Sequence, residues 1–516
     1  MDFTGVRGVL LDSSALLLPD NDVVSTQNDD VLLRPGADYV FRKLRYSNIP
    51  TGISYGLDLS APKVRLLEKI SKQFSFDIFI LNSSSVEVID KEVARAWGDY
   101  GGSILHVASN ISKELFAKLN NSWLYVILRS HGGELAGDTG GGTSKESGLV
   151  FIDKLEQLPL TICSYNRKAI GKNGLVVGYV MKPSREEDFA KRGAFPLRPN
   201  VNGLIFLPLT FELPISTQLQ QVDMVIHKAT DEIISVELNS SLEISNNIIY
   251  SKGMLEVQRC LEERSDCCVI DPISNIDPVL DRFKIQTLLL GLEKLNTEGR
   301  NKIRAPRCIK VDNFDVPDLQ QRLQEAALSP PSIVKAQVAC GVSDAHSMAI
   351  VYNIDDYKGL NVPLPAVVQE YVNHSSTLFK FYVLGDEIFH AVKKSTPNAD
   401  MLIKLSEKSG HKPLVFDSLK SLPTAQKEQQ SGDANYQEAK EQQMDLQLVT
   451  DAAKWLSKML NLTIFGFDVV IQDDTGDHVI VDVNYLPSFK EVCDNVAIPA
   501  FWKAIKRKYE SRKNAD

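Results

Sequence analysis

The 516-residue chain lacks the features that would direct it to a membrane, a secretory route or nucleic acid. Its formal net charge of −9 disfavours broad attraction to nucleic acid or to anionic lipid surfaces. No apolar run approaches the roughly 20 residues that a bilayer-spanning helix needs. The N-terminus has an acid at Asp2 and no basic segment ahead of its apolar run, so it does not resemble a signal peptide.

The seven cysteines show neither CxxC spacing nor a histidine at zinc-ligand spacing. An odd number without such spacing predicts reduced, structural thiols. These absences together predict a cytoplasmic protein, with the nucleus as an alternative, that neither binds nucleic acid nor spans a membrane. The length is too great for a single hydrophobic core and indicates roughly two to four domains.

Residues 461–490 contain two β-branched apolar runs on either side of a turn-rich segment, DDTGD at 473–477. This pattern predicts a β-hairpin. With the turn centred in that segment, Asp468 lies opposite Asp482, and strand alternation puts Asn484 on the same face as Asp482. Buried carboxylates repel each other unless a cation neutralises them, and Mg²⁺ prefers oxygen ligands. The sequence therefore predicts a magnesium site, with a solvated hairpin as the alternative.

The first 165 residues alternate apolar strands with helical patterns, which predicts an α/β, doubly wound sheet. Strands are predicted at Val6–Leu11, Ile49–Ser54, Phe76–Leu81, Ile104–Val107 and Trp123–Leu128. A closing strand pair is predicted over Val150–Ser164, followed by a linker over Tyr165–Gly174.

This N-terminal pattern resembles the haloacid dehalogenase (HAD) fold. Asp12 matches the position of that family's nucleophile, and Ser54 matches its strand-end serine or threonine. The family has a second aspartate two residues after the first, which serves as the acid and base, and Ser14 stands there in this chain. Because a serine hydroxyl is a poor general acid, we expect the domain to be catalytically degenerate.

Later in the chain, basic residues follow apolar runs that are predicted as strands, for example Leu175–Tyr179 and Val222–Ile226. Ligands bind at the carboxyl ends of the strands in open α/β sheets. Lys335 precedes a loop containing Gly341, whose lack of a side chain lets backbone amides approach a phosphate. A lone strand lysine is nonetheless more often a solvated edge residue. Lys380 stands among apolar neighbours, so it lies either on an exposed face or against an anion. Residues 421–445 are polar and predict a mobile insertion, and a helix is predicted over 446–460.

Several stretches in one order carry a family resemblance: VGYVMKP, VIHKATDEI, VIDP followed by LDRFK, VVQEYVNH, LFKFYVLGD, KKSTPN and FGFDVVIQDDTGDHVIVDVNYLPSF. Residues 175–507 resemble the inositol 1,3,4-trisphosphate 5/6-kinase family (inositol-tetrakisphosphate 1-kinases), whose fold is ATP-grasp. The whole architecture is similar to one branch of the plant enzymes. The resemblance implies a HAD-like domain at 1–165 and a kinase at 172–516, with a substrate-binding part at 175–275 and an ATP-grasp part at 276–516.

What this resemblance implies is an ATP- and Mg²⁺-dependent kinase that transfers the γ-phosphate to a hydroxyl of an inositol phosphate. Inositol 1,3,4-trisphosphate or another tris- or tetrakisphosphate is the expected acceptor, with a place in phytate biosynthesis. Two Mg²⁺ ions and a monomeric enzyme are expected with it. The alternatives are an ATP-grasp ligase acting on a carboxylate and a non-catalytic inositol phosphate sensor. A ligase need not collect several lysines and a histidine, and a sensor needs no catalytic metal.

The resemblance also assigns roles to individual residues. The implied Mg²⁺ ligands are Asp468, Asp482 and Asn484. The implied nucleotide contacts are Lys302, Lys335, Gln369, Glu370, Tyr371, Val372 and Ser395. The implied inositol phosphate contacts are Lys182 (or, as an alternative, Arg185), Lys228, His346, Lys380, Asn484 and Ser488. His346 and Lys380 are the expected catalytic residues among them.

The chain departs from the family pattern at the acceptor pocket. Cys340 stands where the family usually has a histidine, and the loop before His346 is one residue longer. Ser488 replaces a common glycine. Because these changes all concern the sugar-phosphate pocket, the pattern leaves open which isomer is phosphorylated.

Overall fold

The computed structural model describes residues 5–19, 32–81, 86–98, 101–109, 123–129, 149–171, 174–236, 248–341, 344–408, 412–418, 420, 423 and 444–514. The chain divides into two compact units. Unit 1 comprises residues 1–226 and 256–268, and unit 2 comprises residues 227–255 and 269–516. The predicted domains, residues 1–165 and 172–516, divide the chain differently, and their boundaries stay a prediction.

The N-terminal part of unit 1 is a six-stranded sheet with helices, which confirms the predicted α/β architecture. Its strands are β1 (Val6–Asp12), β2 (Thr51–Gly56), β3 (Asp77–Leu81), β4 (Ser103–Ala108), β5 (Trp123–Leu128) and β6 (Leu149–Ile152). Their order is β3-β2-β1-β4-β5-β6, and every neighbouring pair is parallel. The helices are α1 (Ser13–Leu16), α2 (Ala37–Arg45), α3 (Ala61–Phe74), α4 (Val86–Trp97) and α5 (Leu158–Ile170).

Helix α5 corrects two predictions. The closing strand pair predicted over Val150–Ser164 is wrong beyond Ile152, and the linker predicted over Tyr165–Gly174 is wrong as far as Ile170. A proline at Pro159 is compatible with the first turn of a helix. The inward-facing residues also recur at helical rather than strand spacing: Leu158, Ile162, Cys163 and Asn166.

The remainder of unit 1 follows α5 in the chain. A four-stranded sheet has the order β12-β9-β7-β8, and its β7–β8 pair is parallel. The strands are β7 (Leu175–Val180), β8 (Leu204–Pro208), β9 (Met224–His227) and β12 (Cys268–Ile270). The helices are α6 (Pro183–Lys191), α7 (Ile215–Leu219) and α8 (Lys252–Glu262). The chain passes between the units three times: within β9 after Ile226, within α8 after Leu255, and within β12 after Cys268.

Asn166 connects the two parts of unit 1 from a fully buried position. Its Oδ1 accepts a hydrogen bond of 2.7 Å from the amide of Val6 on β1, and its Nδ2 donates one of 2.7 Å to the carbonyl of Leu197. The amide of Leu197 in turn donates to the carbonyl of Ser47 at 3.0 Å, and the Leu197 side chain belongs to the apolar core of the N-terminal sheet. The two parts of unit 1 therefore share a core.

A shielded ion pair makes a second connection within unit 1. Lys43 on α2 pairs with Glu186 on α6, and each side chain is 13% exposed. The hydroxyl of Tyr179 donates to the same carboxylate at 2.8 Å, and Lys43 Nζ lies 4.9 Å from the ring centroid of Tyr39. Burial lowers the pKa of Lys43, and Glu186 opposes that shift. Glu186 is thus fixed by groups from two elements.

Unit 2 contains two five-stranded sheets and one two-stranded sheet. The first has the order β13-β22-β21-β18-β19 and the second β14-β17-β15-β16-β20, while β10 pairs with β11. The strands are β10 (Ile233–Val236), β11 (Ile248–Tyr250), β13 (Ile303–Arg304), β14 (Cys308–Val311), β15 (Ser332–Ala336), β16 (Ser347–Val351), β17 (Ala366–Glu370), β18 (Thr377–Leu384), β19 (Glu387–Lys394), β20 (Leu414–Asp417), β21 (Ile464–Ile471) and β22 (His478–Tyr485). The helices are α9 (Ile273–Leu280), α10 (Arg282–Leu289), α11 (Leu319–Glu325), α12 (Ala399–Lys408), α13 (Leu446–Leu460) and α14 (Asp494–Lys513).

Helix α13 confirms the helix predicted over residues 446–460. The insertion predicted over 421–445 lies outside the described residues except for Pro423, Met444 and Asp445. Of the helices that the structure describes, none combines the length and apolar composition required to cross a bilayer.

Candidate active site

The predicted hairpin is formed by β21 and β22. Asp468 lies directly opposite Asp482 in the antiparallel register, which confirms the predicted pairing. Asn484 shares a face with Asp482, and its Nδ2 donates to Asp482 Oδ2 at 3.0 Å. Gly466 lies opposite Asn484, where an added Cβ would come within 2.9 Å of the carbonyl oxygen of Phe381. The backbone spacing at this position therefore requires glycine.

Lys380 reaches the acidic pair from the neighbouring strand β18. It is in register with Asp468, and its Nζ lies 3.3 Å and 3.2 Å from the two carboxylate oxygens. Burial raises the pKa of Asp468 to about 6, the charge of Asp482 acts in the same direction, and Lys380 opposes both. Burial and the charge of Asp482 raise the pKa of Asp468 by more than Lys380 lowers it. One lysine is therefore not enough to neutralise the two carboxylates.

Lys335 on β15 is a second cation close to the acids. It is 7% exposed, and its Nζ donates to the carbonyl of Val481 at 3.3 Å. Burial lowers its pKa to about 8, while Asp482 and Asp468 favour its charged form. The structure thus confirms that Lys335 is no solvated edge residue, the alternative that its sequence left open.

Arg282 at the start of α10 was missed by the sequence reasoning as a site residue. Its Nη1 donates to three carbonyls, those of Ala336 at 2.8 Å and of Val338 and Ala345 at 3.1 Å each. Burial lowers its pKa, and the nearby carboxylate of Asp482 opposes the shift. The signal in the sequence was an arginine at the start of a predicted helix, among apolar residues. A guanidinium buried there needs hydrogen-bond acceptors, and the three carbonyls supply them.

The loop after β15 carries Cys340, Gly341 and His346. Gly341 has φ +83°, and a Cβ there would come within 2.2 Å of Cγ2 of Ile233. Only glycine fits this position, both for its backbone conformation and for the space. Cys340 and His346 are half-buried, and the carbonyl of His346 accepts from the amide of Ser418 at 3.0 Å. The region between Gly341 and Asp344 lies outside the described residues.

The predicted adenine-reading segment, residues 369–372, is held by side chains that follow β19. The hydroxyl of Tyr371 donates to Thr396 Oγ1 at 2.6 Å. His374 contacts the carbonyl of Val372 through Nδ1 at 2.6 Å and the hydroxyl of Ser395 through Nε2 at 2.9 Å. Gln369 is buried, and the carboxylate of Glu370 pairs with Arg304. Ser395 and this segment therefore lie together.

Other predicted contacts occupy different places. Lys302 is exposed, and its carbonyl accepts from the amide of His478 at the start of β22, whereas Asp482 lies near the end of that strand. Ser488 is half-buried and follows the end of β22. Lys182 is exposed at the N-terminus of α6 in unit 1, with Arg185 in the next turn. Their predicted roles stay predictions.

Lys228 lies beside the last residue of the hairpin. Its Nζ donates to the carbonyl oxygen of Tyr485 and lies 5.1 Å from the centroid of the Tyr485 ring. Lys228 therefore lies at the C-terminal end of β22, beside the residue that follows Asn484. Lys228, Lys335 and Lys380 thus come from three different elements to one hairpin.

The hairpin has the chemistry of a magnesium site. Within the described residues, no group of three or more His, Cys, Asp or Glu side chains could hold a metal ion. The hairpin offers two carboxylates and an amide oxygen instead, and oxygen ligands suit Mg²⁺. The Asp468 carboxylate is 15% exposed and has a raised pKa, and a divalent cation would favour its charged form. The residues present therefore fit the ion.

A second polar cluster lies at the carboxyl edge of the N-terminal sheet. Asp12 Oδ1 accepts from the amide of Ser14 at 2.9 Å, and its Oδ2 accepts from the hydroxyl of Ser54 at 3.1 Å. Ser14 Oγ accepts from the amide of Ser109 at 3.1 Å. Ser54 and Ser14 therefore both adjoin Asp12, and no second carboxylate stands at the Ser14 position.

We expect this cluster to be inert as a phosphatase, because the serine at Ser14 is a poor acid for protonating a leaving oxygen beside Asp12. The measurement is hydrolysis of a generic phosphomonoester with Mg²⁺ by the full chain carrying Asp482→Asn, which is expected to silence the predicted kinase site. The full chain is used because the N-terminal sheet shares its core with later residues. Turnover above background that disappears on adding Asp12→Asn would contradict the expectation.

Comparison with known proteins agrees with this geometry. Residues 1–168 match the family described as "ITPK4, N-terminal HAD-like domain", and residues 297–500 match "Inositol 1,3,4-trisphosphate 5/6-kinase ATP-grasp domain". Inositol-tetrakisphosphate 1-kinase 6 of Oryza sativa subsp. indica is 49% identical over 507 residues, 98% of this chain and 90% of the relative. Inositol-tetrakisphosphate 1-kinase of Danio rerio is 25% identical over 291 residues, 56% of this chain and 68% of the relative. A D-alanine–D-alanine ligase structure from Bacillus anthracis aligns with 66% of this chain and 100% of its own at 14% identity and a TM-score of 0.40.

The fold and the site together define an ATP-grasp phosphotransferase that carries a HAD-like domain at its N-terminus. ATP is its phosphoryl donor, and the reaction depends on a divalent cation. The chain belongs to the inositol-tetrakisphosphate 1-kinase family, and it is an inositol phosphate kinase. The predicted family, fold class and class of activity are confirmed.

Proposed function

We propose that the chain transfers the γ-phosphate of ATP to a free hydroxyl of an inositol tris- or tetrakisphosphate, with inositol 1,3,4-trisphosphate as the reference acceptor. The observation that carries the proposal is the hairpin itself. Asp468 faces Asp482, Asn484 lies beside them, and the charges of Lys335 and Lys380 reach the same acids. Phosphoryl transfer needs positioning and charge neutralisation more than covalent chemistry, and this set supplies both.

On the nucleotide side, Asp468, Asp482 and Asn484 are the proposed ligands of two Mg²⁺ ions. Bound Mg²⁺ supplies charge neutralisation and alignment of the β- and γ-phosphates. Lys335 on β15 is the proposed phosphate contact nearest the hairpin. Lys302, which directly precedes β13 in the hairpin's own sheet, is a second proposed contact, and Arg282 is an addition from the structure. Residues 369–372 and Ser395 form the proposed adenine and ribose side, supported by their shared hydrogen bonds through His374.

On the acceptor side, cations hold the substrate phosphates while the hydroxyl is presented in line with the γ-phosphorus. The proposed contacts are Lys182, Lys228, His346, Lys380, Asn484 and Ser488. The contacts of Lys228 with Tyr485 and of Lys380 with Asp468 support two of these assignments. A monomeric cytoplasmic enzyme of phytate biosynthesis completes the proposal.

The experiment is to incubate the purified chain with Mg²⁺ and ATP labelled in the γ-phosphate, separately with inositol tris- and tetrakisphosphates and with carboxylic acids. Label transferred to inositol phosphates alone supports the proposal, and product mapping identifies the hydroxyl. Label in an acyl-phosphate would support the ATP-grasp ligase alternative. Binding of inositol phosphates without turnover would support a sensor.

Lys228→Ala tests the acceptor side. We expect a roughly ten- to hundredfold rise in KM for the inositol phosphate with KM for ATP nearly unchanged, because one charge-assisted contact to substrate is lost. Steady-state kinetics with each substrate varied in turn measure both values. Lys358→Ala, which removes an exposed lysine of unit 2, is the control and should alter neither. An equal rise in both KM values would place Lys228 on the nucleotide instead.

A further inference from the structure

Tyr485, the last residue of β22, carries a hydroxyl that connects three backbone groups. The side chain is buried at 3% exposure, and its hydroxyl accepts from the amide of Asp271 at 2.9 Å. The same hydroxyl lies 2.9 Å from the carbonyl oxygen of His227 and 3.0 Å from that of Ile270. A hydroxyl has one proton, so it donates to one of these carbonyls at a time. This single atom therefore joins β22 to the backbone at His227, Ile270 and Asp271, which all belong to unit 2.

The position of Lys228 depends on the same tyrosine in two ways. His227, whose carbonyl contacts the hydroxyl, is the residue from which the backbone continues into Lys228. The ammonium of Lys228 donates to the Tyr485 carbonyl and lies over the Tyr485 ring, where a cation–π contact stabilises it. Tyr485 thus fixes both the backbone and the charged end of a flexible side chain.

Asp271 extends this network to the other strand of the hairpin. Its carboxylate is fully buried and accepts from the amide of Thr463 at 2.7 Å and from its hydroxyl at 2.6 Å. Thr463 directly precedes β21, the strand that carries Asp468. Through Asp271, the hydroxyl of Tyr485 is therefore connected with both acid-bearing strands.

We propose that Tyr485 is a positioning residue for the phosphoryl acceptor, which it places by holding the Lys228 ammonium at a fixed position relative to Asp482 and Asn484. The inference rests on the proposed assignment of Lys228 to the inositol phosphate. A lysine side chain loses rotamer entropy when it is ordered. If the ammonium is already ordered in the free protein, this entropy is not lost on binding, and the substrate binds more tightly. In-line transfer further requires the acceptor to be placed within a fraction of an ångström.

Tyr485→Phe keeps the ring and removes only the hydroxyl. We expect affinity for inositol 1,3,4-trisphosphate, measured by calorimetry without ATP or Mg²⁺, to fall about five- to tenfold. KM for the same compound should rise in parallel, while KM for ATP stays within about twofold of the wild-type value. Thr463→Val, which leaves Tyr485 in place and removes one contact to Asp271, should give a smaller loss in the same direction.

Tyr357→Phe is the matched control for a loss of structure alone. Tyr357 is a fully buried tyrosine of unit 2, its hydroxyl lies 2.5 Å from the hydroxyl of Ser332, and it belongs to the apolar cluster around Phe314. The two substitutions remove the same group from equally buried places. If Tyr357→Phe weakened inositol phosphate binding as much as Tyr485→Phe, the positioning role would be overturned.

The double variant Lys228→Ala/Tyr485→Phe tests whether Tyr485 affects inositol phosphate binding through Lys228. If Tyr485 acts through Lys228, the double variant binds inositol phosphate no more weakly than Lys228→Ala alone. Fully additive losses, or wild-type affinity in Tyr485→Phe, would overturn the inference while leaving the proposed function intact. Unchanged affinity in Lys228→Ala would instead overturn the acceptor assignment within the proposed function.

Discussion

Asp482→Asn is expected to lower phosphoryl transfer by roughly three orders of magnitude or more while the chain remains folded. The substitution conserves the shape of a side chain on β22 and removes the charge that would hold Mg²⁺ opposite Asp468. Metal-assisted charge stabilisation contributes several kcal/mol to such transition states, and about 1.4 kcal/mol corresponds to tenfold in rate. The measurement is the turnover number at saturating ATP and inositol phosphate, with circular dichroism to verify folding.

Asp474→Asn is the control for this result. Asp474 is an exposed residue in the turn of the same hairpin, so the variant changes the net charge equally without touching the paired acids. It should keep wild-type turnover. If Asp482→Asn retained wild-type turnover, or if both variants lost it equally, the hairpin would not be the metal site.

Lys43→Met should produce the largest loss of stability that we expect from a single substitution. It leaves the carboxylate of Glu186 in a shielded place with Tyr179 as its remaining hydrogen-bond donor among the contacts described above. Breaking one side of a buried ion pair costs on the order of 3 kcal/mol. The free energy of unfolding of unit 1, from denaturant titration followed by tryptophan fluorescence, measures the effect.

Lys191→Met is the matched control, since Lys191 pairs with Glu187 on the same helix α6 but both side chains are about half exposed. An exposed pair of this kind contributes little to stability, because solvent screens its charges. The double variant Lys43→Met/Glu186→Gln should recover part of the loss, because no unpaired charge remains. Equal losses from the two single lysine variants would show that the Lys43 pair is not the more shielded one.

The hairpin register could be predicted from the sequence because its information is local. A two-residue period and a turn of known position together determine which residues face each other, and Asp468 does lie opposite Asp482. The helical reading of residues 446–460 succeeded for the same reason. Both patterns need only residues that are close along the chain.

What escaped prediction depends on distant residues. Arg282 stands in an apolar setting, but the carbonyls that hold its guanidinium, those of Ala336, Val338 and Ala345, are more than 50 residues away along the chain. The prediction of a strand and a linker where helix α5 lies was wrong because a short apolar run can belong to a strand or to a buried helix, and packing decides between them. The burial of Asn166 likewise follows from partners at Val6 and Leu197.

The shared core around Leu197 has an evolutionary consequence. A lineage that deleted the first 171 residues would at once remove the hydrogen-bond partners of the Leu197 backbone and expose the apolar side chain of Leu197. Such a deletion would be tolerated only after compensating substitutions had made that surface polar. The N-terminal segment is therefore entrenched: its loss would destabilise the residues that follow it, whether or not it has any chemistry of its own.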